Sequence, residues 1–246
     1  MSLMQPHIVC VTAFKICRQM INVALAAKAA TTTIPIVFYI GVDPRPGGLV
    51  ASFARPGGNL TGISSLNALL NSKRLGLLRE IVPDIATVGL LINPANMNAD
   101  TLSKEAIEAA HEIKIQMVIL KAQNEKDLAK VFSQGSIDGV IVEADPFFNS
   151  LRKYIVDLVA KSSIPTIYAD REFTLAGGLI SYSYSLVSAW YQVGAYAKKI
   201  LDGAQPADLP VQQPITLQLV INLQTAKALG ITIPMTLLLQ ADEVIE

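Results

Sequence analysis

The feature that most constrains the fold is a regular alternation of two periods. Short apolar runs rich in Val, Ile and Leu recur at Ile36 to Ile40, Asn59 to Ile63, Val88 to Ile92, Gln116 to Lys121, Gly139 to Val142, Thr166 to Ala169, Leu179 to Tyr182 and Leu217 to Ile221. Between most of them lie stretches with helical spacing: Leu70, Arg74, Leu77, Leu78 and Ile81, then Thr101 to Ile113, Glu125 to Phe132, Ser150 to Lys161 and Ser185 to Leu201. Strands alternating with helices at this interval predict right-handed βαβ units, hence parallel sheets covered on both faces. Ahead of them, His7 to Val11 reads as a strand and Lys15 to Ala30 as a helix. Leu49, Val50 and Phe53 read as a short helical face, Ala204 to Pro214 as an extended linker and Thr225 to Leu229 as a short helix.

In such sheets the carboxyl ends of the strands line the ligand crevice. The stretch from Ile34 to Ser65 is therefore read as the end of one lobe and the start of another, with Asp43 and Ser64 facing one cleft. With 246 residues, 51% of them hydrophobic, the chain has material for two domains. Twenty basic residues balance twenty acidic ones, so no net charge points to nucleic acid or an anionic membrane. Pro, Gly or charged residues interrupt each apolar run below the length of a membrane span. Cys10 and Cys17 are too few for a disulfide scaffold, and Met1-Ser2-Leu3 resembles a vector-derived start.

Catalytic signatures are sparse. Neither a G-x-G-x-x-G nor a G-x-x-x-x-G-K-[ST] loop is present, and Gly47-Gly48, Gly57-Gly58 and Gly177-Gly178 read as turns. His7 and His111 are the only histidines and neither has a second ligand at helical spacing. A nucleophile elbow is absent. This pattern favours binding without a cofactor or metal over catalysis. Polar residues instead gather just past strand ends: Asp43, Ser64-Ser65, Asn93, Asn96 to Asn98, Asp145, Asp170, and Tyr182 with Tyr184. Carboxylates, amides and hydroxyls converging among apolar walls can hold an ammonium and a carboxylate. Tyr182, Tyr184, Phe147 and Phe148 could stack on a flat ligand. Taken singly, each polar residue has a plainer reading as a turn former or helix cap.

Several runs resemble one known family. They are Ala26-Ala27-Lys28-Ala29-Ala30 leading to Ile34-Pro35-Ile36-Val37-Phe38, Asp43-Pro44 with Gly48-Leu49-Val50, and Arg55-Pro56-Gly57-Gly58-Asn59-Leu60-Thr61-Gly62. Asn93-Pro94-Ala95-Asn96, Gly177-Gly178-Leu179-Ile180-Ser181-Tyr182, Pro206-Ala207-Asp208-Leu209-Pro210-Val211 and Ala241-Asp242-Glu243-Val244-Ile245 continue the series. From about Ala24 onward the chain is similar to the tryptophan/tyrosine-type ABC transporter substrate-binding proteins.

The resemblance implies an α/β, type I periplasmic-binding-protein fold of two Rossmann-like lobes with parallel sheets, the first lobe incomplete at its N-terminus. Residues 1–66 would form lobe 1, completed by about 184–215, residues 67–183 lobe 2, and 216–246 a C-terminal segment near the hinge. It further implies a solute-binding role in an ABC importer. An amino-acid-like or aromatic small molecule would be held by Asp43, Ser64, Asn93, Asn96, Asp145, Asp170 and Tyr182, joined by Phe147 on the stacking argument above, with an ABC permease as partner and no nucleic acid. The full-length form would be a periplasmic or extracytoplasmic lipoprotein. Glu143-Ala144-Asp145-Pro146-Phe147 departs from the Thr-Asp-Asn run of the amino-acid-binding branch. The family's leading βα units have no counterpart before His7, which would leave an apolar edge at His7 to Val11 and predicts a homodimer through it. The effector-binding half of a transcription regulator and a Rossmann-like enzyme are the rival readings.

Overall fold

The computed structural model describes residues 9–11, 20–96, 98–133 and 137–246. In chain order the elements are β1 (Val9–Val11), α1 (Met20–Ala30), β2 (Ile36–Ile40), β3 (Leu60–Ser64), α2 (Asn71–Ile81), β4 (Thr87–Ile92), α3 (Ala99–Glu112), β5 (Gln116–Lys121) and α4 (Glu125–Ser133). There follow β6 (Gly139–Val142), α5 (Pro146–Ser150), α6 (Arg152–Ser162), β7 (Thr166–Tyr168), α7 (Arg171–Leu175), β8 (Ile180–Tyr184), α8 (Leu186–Leu201), β9 (Leu217–Asn222), α9 (Leu223–Ala228), α10 (Met235–Leu238) and β10 (Glu243–Ile245). His7, Ile8 and residues 15–19, parts of the expected first strand and helix, lie outside the described residues, as does Cys17.

Two compact units result, one from the residues through Leu66 plus Tyr184–Thr216, the other from Asn67–Ser183 plus Leu217–Glu246. The first holds the sheet β1-β2-β3, parallel throughout. All five residues of β2 are buried, which a strand covered on both faces requires. Their alternation divides them: Ile36, Phe38 and Ile40 join the core that includes Ile21 and Ala24 of α1, whereas Val37 and Tyr39 join Ala189, Val193 and Tyr196 of α8. A Cβ on Gly62 of β3 would fall 2.1 Å from the Phe38 carbonyl oxygen, so this close approach admits only glycine.

The second unit's sheet runs β10-β9-β8-β7-β6-β4-β5, with parallel pairing of β4 to both β5 and β6. β4 is thus the point where the strand order reverses. Its consequence is visible in the packing. Leu75, Leu77 and Leu78 of α2 and Ala106 and Ala110 of α3 pack in one core with Val88, Leu90 and Ile92. Leu128 and Phe132 of α4 and Ile155 and Val159 of α6 pack in another with Leu91, Val140 and Val142.

Two expectations are corrected. Residues 49–53 form bends and not a helix. Pro56 and two glycines held at positive φ, Gly57 and Gly58, fix an irregular turn there, although Leu49 and Val50 are still buried in the core. Residues 204–214 are more than a linker, since Gln212 bridges to Ile63 and exchanges main-chain bonds with Gly62 and Ser64. The C-terminal segment 216–246 adds β9 and β10 to the second sheet. Among the described residues no helix is long and apolar enough to cross a membrane.

Tyr168 of β7 is fully buried, stacked on Phe173 at 4.9 Å between ring centroids. Its hydroxyl has no hydrogen-bond partner among the described residues. Burial pushes the phenol well above its usual value, because the anion cannot be solvated there. The folded chain therefore holds this proton where the unfolded chain, ionising near pH ~10, has lost it. The stability tied to it is complete below that pH and is lost as pH rises further. Tyr168→Phe is expected to flatten the alkaline fall in stability above pH ~10 by up to about 1.4 kcal/mol per pH unit. At pH 7 it should leave stability unchanged or raised. Urea titrations across pH measure both.

Candidate functional site

The eight residues singled out from sequence fall into separate local groups. In the first unit, Ser64 closes β3 with its hydroxyl donating to the Val42 carbonyl at 2.7 Å, which sets it beside the turn that begins at Asp43. Asp43 accepts from the Arg45 backbone N–H at 2.9 Å and from its guanidinium at 3.0 Å. The Arg45 side chain lowers the Asp43 pKa, its hydrogen bond outweighing partial burial. Arg45 also lies over the Phe53 ring at 5.2 Å.

In the second unit the carboxyl ends of β4 and β6, the strands flanking the reversal, carry the densest polar group. Asp145 is 3% exposed and Asn93 6%. The Asn93 amide donates to Asp145 Oδ1 at 3.1 Å, the Asn96 amide to Asp145 Oδ2 at 3.2 Å, and the Phe147 backbone N–H to Oδ1 at 2.9 Å. The last of these makes Asp145 the N-cap of α5, with Pro146 at the first helical position, a pairing suited to starting a helix. Asn93 and Asn96 in turn accept from the Ala95 and Asn98 backbone N–H groups. Two loops from neighbouring strands are thereby tied to one carboxylate. Among the described residues no cationic side chain pairs with it.

Asp170 caps α7 through the Glu172 N–H at 3.0 Å and accepts from the Asn149 amide at 2.9 Å. Asn149 belongs to α5, so the Asp170 and Asp145 groups share that helix. Phe147 is half-buried, its ring 5.6 Å from Phe148. Tyr182 on β8 is half-buried against the α2 and α3 side of the core. His111 is exposed on α3. Among the described residues no group of three or more His, Cys, Asp or Glu could hold a metal.

A second polar layer lies beneath. Arg74 of α2 is 0% exposed and Glu143, two residues before Asp145, is 2% exposed. Their charged groups approach to 3.9 Å, and Asn71 donates to Glu143 while accepting from Arg74 at 2.8 Å. No motif marks these residues as part of a site. The one available signal is that Arg74 falls on the leucine-bearing face of α2.

Replacing Asp145 by Ala removes a helix cap and strands the buried amide of Asn93 and the partly buried amide of Asn96. Asp145→Ala is expected to destabilise the second unit by roughly 2–4 kcal/mol without ligand, as a shift of its urea midpoint would show.

Residues 20–245 match the family model described as ABC transporter substrate binding protein. A curated relative, the tyrosine-binding protein of Clostridioides difficile, is 27% identical over 210 residues, 84% of this chain and 60% of its own length, so the chain spans about 60% of that relative. A conserved domain protein from Vibrio cholerae is 28% identical with a TM-score of 0.83, covering 91% of this chain and 76% of that one. The ABC domain from Streptococcus pneumonia in complex with L-Trp is 27% identical with a TM-score of 0.83, covering 92% and 78%. A LacI-family regulator and a sugar-binding protein, at 10% and 11% identity, share the fold alone. With residues 20–245 inside the match, this α/β chain of type I periplasmic-binding-protein fold belongs to the ABC transporter substrate-binding protein family.

Proposed function

We propose that the chain is the solute-recognising part of an ABC importer and captures an ammonium-bearing small molecule, amino-acid-like or aromatic, by closure of two lobes. The observation that carries the reading is the Asp145 carboxylate, nearly buried at the strand-order reversal and surrounded by neutral donors. Such a carboxylate keeps a strong local field, and a ligand ammonium supplies the missing opposite charge. Asn93, Asn96, Asp170 and the rings of Phe147 and Tyr182 complete the second unit's share of the site, and Asp43 and Ser64 the first unit's. Segment 216–246 lies near the hinge. The relatives named tyrosine-binding and solved with L-Trp agree with this ligand class.

The role is binding without chemistry, in an extracytoplasmic setting, with a membrane permease as partner. Ligand closes the lobes only by binding the closed form more tightly. Isothermal titration with L-tryptophan, L-tyrosine and their des-amino acids tests the reading. The amino acids are expected to bind at least tenfold tighter than the des-amino analogues; equal affinity, or binding of neither set, overturns it. Ligand variation is preferred to mutation because Asp145 also holds the loops together.

Homodimerisation through the first sheet's edge is a further part of the reading. Among the described residues β1 pairs with β2 alone, and unpaired edges recruit strands. Light scattering is expected to give twice the chain mass; a monomer at high concentration removes this part.

A further inference from the structure

The chain passes between its two units after Leu66, after Ser183 and after Thr216. Arg74 reaches residues beside two of these passages. Its Nη1 donates to the Asn67 carbonyl at 3.2 Å and its Nε to the Tyr182 carbonyl at 3.0 Å. The guanidinium is itself anchored by Asn71 Oδ1 at 2.8 Å and the Glu143 carboxylate at 3.9 Å. One rigid planar fork thus ties both passages to the end of β6.

Two further observations bear on what that does. Leu66, immediately before Asn67, has φ +42°, a left-handed conformation that a leucine keeps only where its surroundings impose it. Moreover, a buried ion pair seldom repays its lost hydration in stability, so its presence at this spot calls for a positional explanation. On the first-unit side the second and third passages are joined separately, through the Ser185 N–H to Thr216 carbonyl bond at 2.8 Å.

We propose that Arg74 is a positioning residue of the hinge, clamping the passages at Asn67 and Tyr182 to the second unit so that bending is confined to Leu66 and to the residues after Tyr182. This rests on the reading of the chain as a protein that closes by a hinge. The clamp acts without touching ligand. It sets where the closing motion begins.

Hydrogen exchange read by mass spectrometry on the whole chain, without ligand, compares Arg74→Met with Leu78→Ala. Leu78 is fully buried one turn along the same helix, and its truncation supplies a destabilised control with the clamp intact. After correction for each variant's global stability, the amides of residues 67–68 and 182–183 are expected to exchange at least tenfold faster in Arg74→Met than in Leu78→Ala. Equal exchange overturns the clamp. Should Arg74→Met not fold, Arg74→Lys keeps the buried charge but lacks the fork. It is expected to release at least one passage, and full protection at both counts against the proposal. Failure to bind any amino acid would overturn the functional reading alone, since the exchange contrast needs no ligand.

Discussion

The second unit depends on β4 having a parallel neighbour on each side. Right-handed crossovers then send the chain over one face to reach β5 and over the other to reach β6, as the separate cores of α3 and α4 show. At the carboxyl end of β4 the outgoing connections diverge. Asn93, Asn96 and Asp145 gather there. The polar cluster is thus a product of topology as much as of residue choice.

The two carboxylates at the end of β6 are treated differently. Glu143 meets a guanidinium and an amide in a closed, buried network. Asp145, two residues on, meets amides and a backbone N–H. Alternation along extended chain brings positions i and i+2 to the same side, yet Glu143 has a guanidinium 3.9 Å away, and among the described residues Asp145 has no cationic partner.

Much of this was legible in the residues. Strands such as Ile36 to Ile40 and Gly139 to Val142 read clearly because burial on both faces demands unbroken β-branched and aliphatic runs. Asp145 and Asp170 read as either caps or site residues, and the structure shows both capping helices. The helices α5 and α7 were hidden because five residues are too few to display a period. β10 was hidden because its burial comes from β9 and not from its own composition. Arg74 was the hardest, since its carboxylate partner is far along the chain and an arginine among leucines reads as an ordinary helix position.

The interleaving of the units has a consequence for biogenesis. The first unit is completed only by Tyr184–Thr216, and the second only by Leu217–Glu246. Neither exists as one uninterrupted stretch, so a ribosome extruding the chain has displayed five of the second sheet's seven strands before the helix that seals the first has emerged. Nascent β2, apolar on both sides, must wait for α8 while residues 41–185 are made.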